Sequence, residues 1–244
     1  LAHVMDAVGR PYPAADWPKV TWAAPTNRPE NLKYIVENFQ RQTYPNLELV
    51  VALNSDAFDI RDVEAAFGGD PRVKVLSIPE DRTLGDVLNA TIDAMTGDYW
   101  SKIDDDNVYL ENFTLDLILP TQYVDARIIG KHAYFIYLEA SDELLLRRPG
   151  ASHQYTPFCS GSALAVHASL LQEVRFPSET VGEDTIWLKE CVEQGERIYS
   201  PDIFNYAVVR KADKSRHTWQ EVDDALRRGA QFVAHGLDLD AIRA

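Results

Sequence analysis

The first hundred residues alternate between short apolar runs and stretches whose apolar positions recur at helical spacing. One helix is predicted after Pro29, which suits a first helical turn, and two more at Asp59–Phe67 and Leu84–Met95. The apolar runs between these helices predict four strands, at Val20–Ala24, Leu47–Leu53, Val73–Ile78 and Tyr99–Ile103. Because strands that alternate with helices form parallel sheets, we expect an α/β fold that binds ligands at the carboxyl ends of its strands.

The pattern after residue 110 is less regular. Thr218 and Glu221 have the spacing of a capping box and predict a last helix that includes Leu226 and Val233. We expect an extended lead-in over residues 1–18 and a single domain over 19–244, with halves at 19–110 and 111–218 and a C-terminal helix at 219–244. The other predicted elements are helices at Asn112–Val124 and Asp184–Glu193 and strands at Ile128–Leu138, Leu144–Arg148, near Ile198 and near Val208.

Composition and charge narrow the classes of function. The chain has 244 residues, 45% of them hydrophobic, so it can bury a core of ordinary size. With 24 Lys plus Arg against 38 Asp plus Glu, the net charge of −14 argues against nucleic-acid binding and against a basic membrane-binding surface. No apolar run approaches the ~18 residues of a membrane-spanning helix and no signal-peptide pattern is present, which makes the cytoplasm the default location. The start at Leu1 is compatible with a piece of a larger multidomain chain.

The strongest local signal is a run of three carboxylates, Asp104-Asp105-Asp106, directly after a predicted buried strand. Like charges packed together oppose folding unless a cation lies among them. In an extended segment Asp104 and Asp106 project to the same side, where they could share Mg²⁺ or Mn²⁺ with phosphate oxygens. The alternative is a solvated acidic turn that caps the next helix. The position at the ligand-binding edge of the sheet favours the metal interpretation.

Three motifs in this order resemble glycosyltransferase family 2. They are Pro25-Thr26-Asn27-Arg28-Pro29 after the first strand, the acidic triplet, and Gly182-Glu183-Asp184 before a helix. The resemblance covers roughly Val20 to Trp219 and implies the GT-A fold, a Rossmann-like α/β/α sandwich with a mostly parallel central sheet and an irregular acceptor-side half. Residues 19–110 would then be the nucleotide-sugar-binding half, and residues 111–218 the acceptor and catalytic half.

The resemblance also implies roles for individual residues. Asp104 and Asp105 would face the nucleoside, Asp106 would bind the metal that bridges the diphosphate, and Asp184 would be the catalytic base. A carboxylate suits that task, because a sugar hydroxyl must lose its proton as it attacks. At a helix start Asp184 could also serve only as a cap, and Glu183 is the neighbour most easily confused with it. The first motif would line the nucleotide-sugar site with Pro25, Thr26, Asn27 and Arg28.

Two departures from the family pattern limit what can be carried over. The family's second strand commonly ends in paired acidic residues, one of which contacts the base, whereas this chain has Asn54 there. The Gln-x-x-Arg-Trp motif of membrane-embedded processive synthases is absent. A basic segment with Lys211, Lys214 and Arg216 leads to His217, at the place where many GT-A enzymes have a metal-binding His. It could be a solvated face or a segment that closes over the diphosphate with His217 on the metal.

Further candidates for the donor site have weaker signals. Arg82 and Lys102 could pair with phosphates or merely balance nearby Asp side chains. Gly85 and Asn89 have a Gly-x-x-x-Asn spacing that is frequent in the family, although Asn89 could equally be a polar packing residue.

Candidates for the acceptor site follow later in the chain. Ser160 and Gly161 lie in a segment of small residues that would let an acceptor approach the donor, and a simple turn explains them nearly as well. Trp187 could stack on an acceptor sugar, although an aromatic residue at helical spacing is more often part of a core.

The sequence thus predicts an inverting, metal-dependent glycosyltransferase that uses Mn²⁺ or Mg²⁺. It would move a sugar from a nucleotide-sugar donor to a hydroxyl of a glycan or lipid-linked glycan. The expected donor is a UDP-sugar. By analogy with bacterial relatives it would build surface polysaccharides, in the cytoplasm or at the inner face of the membrane. One alternative is a sugar nucleotidyltransferase, which would normally show a Gly-rich basic loop after the first strand. The other is a non-catalytic scaffold domain, against which Asp106, Asp184 and His217 count.

Overall fold

The computed structural model describes residues 17–213 and 223–243, and an eight-stranded sheet forms its centre. The first four strands are β1 Val20–Thr26, β2 Leu47–Leu53, β3 Val73–Ser77 and β4 Tyr99–Lys102. They run parallel in the order β3-β2-β1-β4. The four predicted strands are therefore confirmed, with β1 extended to Thr26.

Helices cover both faces of this sheet, because its strands bury apolar side chains on both sides. Those before residue 200 are α1 Leu32–Gln40, α2 Ile60–Ala66, α3 Leu84–Ala94, α4 Phe113–Ile118, α5 Ala168–Glu173 and α6 Glu183–Glu193, with 3₁₀ turns at Pro29–Asn31 and Leu119–Gln122. Successive strand residues point to opposite faces. Trp22 therefore packs with Ile35 and Phe39 of α1, whereas Ala23 packs with Leu88 of α3. Across the ranges described, every helix is too short to span a bilayer.

Side-chain caps fix the starts of helices α2 and α3. Asp59 Oδ1 accepts the Arg61 N–H at 2.9 Å before α2. At α3, Thr83 Oγ1 accepts the Asp86 N–H at 3.2 Å, and Asp86 Oδ2 accepts the Thr83 N–H at 3.3 Å. These bonds satisfy N–H groups that have no partner inside the helix, so the helices begin where the capping residues lie.

Beyond β4 the large sheet continues with strands from the second half of the chain. They are β6 Ile128–Gly130, β9 Gln154–Thr156, β10 Leu164–His167 and β11 Ile198–Ser200. The order is β4-β10-β6-β11-β9, and β10 runs antiparallel to both β4 and β6. The sheet is parallel where the sequence is regular and mixed beyond it. The predicted α/β sandwich with a mostly parallel sheet is confirmed.

A second, five-stranded sheet, which the sequence does not predict, lies beside the first. Its strands are β5 Val108–Tyr109, β7 Tyr134–Leu138, β8 Glu143–Arg147, β12 Tyr206–Arg210 and β13 Gln231–His235. Their order is β13-β8-β7-β12-β5. Tyr109 and Tyr206 belong to the same buried cluster as Trp22, so the two sheets share a core.

The prediction of one strand over Ile128–Leu138 is wrong. The segment is divided between β6 in the large sheet and β7 in the second sheet. At the break Lys131 is fully buried, with Nζ 2.9 Å from Asp202 Oδ1 and 3.5 Å from Asp116 Oδ2. A buried ammonium group needs such partners. They lie 71 and 15 residues away, so no local pattern could show them.

The predicted C-terminal helix is wrong over the residues described there. The short helix α7 Asp223–Arg227 is followed by β13 and by helix α8 Leu239–Ile242. β13 pairs antiparallel with β8. This pairing satisfies backbone groups that β8 would otherwise expose, and it prevails over the helical spacing of Leu226 and Val233. The predicted capping box and residues 1–16 of the lead-in lie outside the described residues.

Candidate active site

The carboxyl ends of the parallel strands open into a cleft of about 740 Å³. Open α/β sheets bind ligands at this place. The loop at 160–162, the start of α6 and the ends of β8 and β12 form the opposite wall. Most of the sequence-predicted site residues line the cleft: Pro25, Thr26, Asn27, Arg28, Asn54, Arg82, Lys102, Asp104, Asp105, Asp106, Ser160, Gly161, Glu183 and Asp184.

Arg28 and Thr26 hold the second carboxylate of the triplet. Arg28 forms a two-point ion pair with Asp105, and its Nη2 also lies 2.9 Å from Asp106 Oδ2. Thr26 Oγ1 donates to Asp105 at 2.5 Å, and Asp105 is only 3% exposed. Burial opposes the charge of Arg28, but Asp105 and Asp106 outweigh it and raise the pKa of Arg28. These charge-assisted bonds order the loop between β1 and α1 before any ligand arrives.

Lys102 joins the acidic triplet to the start of α6. Its Nζ lies 3.2 Å from Asp104 Oδ1 and 3.5 Å from Glu183 Oε1, and the residue is 6% exposed. Burial acts to lower the pKa of Lys102, but Asp104, Asp184 and Glu183 outweigh it and raise the pKa above its usual value. Lys102 is thus a permanent cation between two acidic motifs that are far apart in sequence.

A polar network that sequence reasoning missed extends from Asp104 into the protein. The Asp104 N–H donates to Tyr109 Oη at 2.7 Å, and Tyr109 Oη donates to the Ser162 carbonyl oxygen at 2.9 Å. Asn107 Nδ2 donates to Asp104 Oδ2 at 3.4 Å and to Ser162 Oγ at 3.2 Å. Burial and the charge of Asp104 raise the pKa of Tyr109 well above its usual value, so its hydroxyl keeps the proton that it donates.

The same network reaches the small-residue loop. Tyr206 Oη lies 2.6 Å from Ser162 Oγ and 3.2 Å from Ser160 Oγ. Tyr206 is fully buried and comes from β12 of the second sheet. The second sheet therefore fixes the position of the loop that faces the acidic triplet. Signals for this role were absent from the sequence, because the contacts join elements 44 to 53 residues apart.

Asp184 and Glu183 lie in different surroundings. Glu183 is 3% exposed and paired with Lys102, and burial raises its pKa despite that pairing. Asp184 is half-buried, and Oδ1 accepts the Thr185 N–H at 2.6 Å. Its Oδ2 lies so close to Gly161 that a Cβ there would be 1.8 Å away. The structure thus separates a buried Glu183, paired with Lys102, from a half-buried Asp184, and it leaves no space for a side chain at residue 161.

The donor set at the triplet fits a hard divalent cation. Burial and the like charge of Asp104 raise the pKa of Asp106 to about 6, against the opposing effect of Arg28. Five cleft carboxylates, those of the triplet and of Glu183 and Asp184, face only Arg28 and Lys102 within ion-pair distance among the described residues. The excess negative charge suits Mg²⁺ or Mn²⁺.

The described residues do not form a complete cage for such an ion. No three His, Cys, Asp or Glu side chains in residues 17–213 and 223–243 are arranged to hold a metal. The predicted second ligand, His217, lies outside the described residues, so its role stays a prediction.

Asn54 and Arg82 line the cleft from the loops that follow β2 and β3. Asn54 Nδ2 donates to the Pro79 carbonyl oxygen at 2.6 Å, which joins the loops after β2 and β3. Arg82 is exposed on the loop before α3. Both residues line the cleft, as predicted. The hydrogen bond of Asn54 holds the two loops at the edge of the cleft together.

The structure places Gly85 and Asn89 outside the cleft lining, so the prediction that they contact the nucleotide sugar is not supported. Asn89 Nδ2 donates to the Phe176 carbonyl oxygen at 2.9 Å, and its Oδ1 accepts the Phe176 N–H at 3.1 Å. The Gly85 N–H donates to the Glu179 carbonyl oxygen at 2.9 Å. Both residues attach α3 to the segment that leads into α6.

The prediction that Trp187 stacks on an acceptor sugar is wrong. Trp187 is fully buried, and its ring stacks on Phe176 at 5.0 Å between centroids. Its Nε1 donates to the Val174 carbonyl oxygen at 3.0 Å. A tryptophan that buries its ring and satisfies its N–H is a core residue.

The second sheet contributes cleft residues that sequence reasoning missed. Tyr134, Arg147, Arg148 and Arg210 line the cleft on the side of the second sheet. The adjacent pair Arg147-Arg148, in a chain with a net charge of −14, was the one available signal.

Comparisons with known proteins agree with this geometry. Residues 26–159 match the model of Glycosyl transferase family 2. Among solved structures, TarS 1-349 from S. aureus superposes with a TM-score of 0.62 at 14% identity, covering 78% of this chain and 60% of that one. The mannosyltransferase PcManGT from Pyrobaculum calidifontis, solved with GDP-Man and Mn²⁺, has a TM-score of 0.62 at 18% identity, covering 88% and 64%. The curated proteins searched contain no match.

The sandwich, the position of the cleft and these neighbours define the GT-A fold of glycosyltransferases. Since the family match covers more than half of the sequence, the chain belongs to glycosyl transferase family 2. The predicted fold, family and enzyme class are thereby confirmed. The chain spans about 60% of the length of the neighbours named above.

Proposed function

We propose that this chain transfers a sugar from a nucleoside diphosphate donor to a hydroxyl of a glycan or lipid-linked glycan, with inversion at the anomeric carbon. The observation that carries the proposal is the pairing of two acidic motifs across one cleft. The triplet Asp104–Asp106 lies on one side, and Asp184 lies on the other with a carboxylate oxygen against Gly161. Two carboxylate groups in different surroundings can take different tasks in one reaction.

Asp184 is the proposed general base. As the acceptor oxygen attacks the anomeric carbon, its proton passes to the Asp184 carboxylate and a new C–O bond forms. The bond between the anomeric carbon and the diphosphate oxygen breaks, and its electron pair leaves with the nucleoside diphosphate. Lys102, 3.5 Å from Glu183, helps to hold the start of α6 in place for this transfer.

The donor side binds and orients the diphosphate. Arg28, held by Asp105, presents a fixed cation beside the triplet, and Arg82 adds an exposed cation at the nucleotide end. A UDP-sugar is the first donor to test, and GDP-mannose is the second because a structural neighbour was solved with it. Asp106, with His217 in the sequence-based proposal, would hold Mn²⁺ or Mg²⁺, which supplies charge stabilisation for the leaving diphosphate.

The biological setting is part of the proposal. By analogy with bacterial members of the family, the product would be a surface polysaccharide made in the cytoplasm or at the inner face of the membrane.

The direct test is a donor panel. We expect UDP- or GDP-sugars to raise the melting temperature in the presence of Mn²⁺ and not in the presence of EDTA, because a ligand that binds only the folded state stabilises it. Mass spectrometry of reactions with oligosaccharide acceptors should then detect one added sugar. Stabilisation without any product from the whole panel would favour the scaffold alternative, and product formation in EDTA would contradict the metal role.

A further inference from the structure

Arg148 is an exposed cation in the cleft that no part of the proposed chemistry uses. It lines the cleft directly after β8, and among the described residues its guanidinium makes no ion pair or hydrogen bond. Its backbone has φ = 48°, in the left-handed region that a side chain rarely adopts. A residue with a side chain keeps such a conformation only where the surrounding structure compensates for its cost.

The preceding residue shows what a structural arginine looks like in the same place. Arg147 is 8% exposed, and its Nη1 donates to the Leu226 carbonyl oxygen at 2.7 Å. That bond joins β8 to α7. The left-handed turn at Arg148 directs the chain away from this packing, so the two adjacent arginines serve different surroundings.

Contacts with neighbouring segments place Arg148 on the acceptor side of the cleft. Burial and the nearby charge of Arg148 lower the pKa of His132, which also interacts with the backbone of Phe158, another cleft residue. The adjacent Lys131 carbonyl oxygen accepts the Ser160 N–H at 2.9 Å. Ser160 precedes Gly161, which touches Asp184. These contacts connect the surroundings of Arg148 with the loop beside the proposed base, Asp184, and not with the loops that carry Asn54 and Arg82.

The negative charge of the cleft indicates what kind of group Arg148 binds. The carboxylates of the triplet and of Glu183 and Asp184 repel an anionic acceptor unless a cation lies beside its anionic group, whereas a neutral acceptor needs no such cation. Building on the function proposed above, we propose that the acceptor carries an anionic group, a carboxylate or a phosphate, which Arg148 binds on the acceptor side of the cleft. A guanidinium group suits both anions, because it donates two parallel hydrogen bonds to either.

Matched sugars test this directly. Dissociation constants are measured by NMR titration, with and without UDP and Mn²⁺, for methyl glucuronide against methyl glucoside and for glucose 6-phosphate against glucose. We expect wild-type protein to bind at least one anionic sugar ~10-fold more tightly than its neutral partner, equivalent to about 1.4 kcal/mol. The preference should vanish in Arg148→Ala and persist partly in Arg148→Lys. Arg61→Ala, which removes an 89% exposed arginine outside the cleft, is the control that should keep it.

The two pairs distinguish a carboxylate from a phosphate. Equal or undetectable binding within both pairs in the wild-type protein would overturn the proposal, as would a preference that survives Arg148→Ala. Loss of UDP–Mn²⁺ affinity in Arg148→Ala, with sugar binding unchanged, would assign Arg148 to the donor diphosphate and also overturn it. Absence of nucleotide binding in the wild-type protein would contradict the proposed function, and the titrations without nucleotide would still decide the anion preference.

Discussion

The two ends of the parallel strands hold carboxylates in opposite electrostatic states. At the amino ends, Glu48 lies 2.6 Å from Lys19 Nζ and accepts further bonds from Thr21 and Thr96. Burial acts to raise the pKa of Glu48, but these bonds outweigh it and lower the pKa to about 2. The protein itself supplies the ion-pair and hydrogen-bond partners of this carboxylate, so the role of Glu48 is structural.

At the carboxyl ends the balance is reversed. Burial and the like charge of Asp104 raise the pKa of Asp106 to about 6, although Asp106 shares Arg28 with Asp105. The comparison indicates where a ligand binds. A carboxylate whose pKa is raised because the protein supplies too little positive charge is a candidate for binding a ligand.

The largest expected effect is a loss of stability when a lysine at one end of the parallel strands is replaced. Lys102→Met leaves Asp104, Glu183 and Asp184 without their buried cation and should lower the free energy of unfolding by about 3–5 kcal/mol. Lys19→Met is the matched control, because the Lys19 side chain is 36% exposed and such pairs contribute about 0–1 kcal/mol. Urea unfolding measures both. Equal losses in the two variants would remove the contrast between the ends.

A second comparison uses two close-packed glycines. A Cβ at Gly161 would be 1.8 Å from Asp184 Oδ2, so Gly161→Ala should displace the proposed base and lower turnover ~10²-fold, with donor affinity retained. A Cβ at Gly97 would lie 2.8 Å from backbone atoms at the amino ends. Gly97→Ala should therefore cost stability and leave the turnover of the folded enzyme unchanged. Normal turnover in folded Gly161→Ala would show that Asp184 is not held as the structure indicates.

Stabilisation by ligand should distinguish the same two ends. With UDP and Mn²⁺ at ~100 times their dissociation constants, we expect the wild-type protein to gain about 2.7 kcal/mol. Asp106→Asn should lose that gain, because an amide lacks the charge that the cation requires. Glu48→Gln should keep it. A full gain in Asp106→Asn would place the metal elsewhere.

The smallest effect is a pH dependence at the amino ends. The folded-state pKa of Glu48 is depressed from 4.5 to about 2. Its contribution to stability is therefore present above pH 4.5 and is lost as the pH falls toward 2. We expect Glu48→Gln to be less stable than wild type by roughly 1–2 kcal/mol at pH 7, with the difference shrinking near pH 3. A difference that stays constant over this range would contradict the assignment.

The sequence could predict the features that depend on neighbouring residues. The strands β1 and β2 are largely apolar and buried, and Asp104–Asp106 begin two residues beyond β4, so the position of the acidic triplet at the edge of the sheet was predictable. The opposite wall of the cleft depends on contacts between distant segments. Gly161 meets Asp184, and Lys131 leaves the large sheet to reach Asp202, across separations that no local pattern contains.

Trp187 is a residue whose role the sequence pattern alone could not decide. Its helical spacing fits both a sugar platform and a core position, and only its stacking on Phe176 decides between them. The Gly-x-x-x-Asn spacing at Gly85 and Asn89 likewise marks a close attachment of α3 to the 176–179 segment, where the sequence suggested a donor contact.

The separation of binding from chemistry across the cleft is tested most directly by Asp184→Asn. Asparagine preserves the size of the side chain and its bond to the Thr185 N–H, but it cannot accept the acceptor proton. With the donor that the panel identifies, we predict an unchanged dissociation constant and a kcat lowered ~10²–10⁴-fold. Full activity in Asp184→Asn, or a loss found in Glu183→Gln and not in Asp184→Asn, would contradict the account.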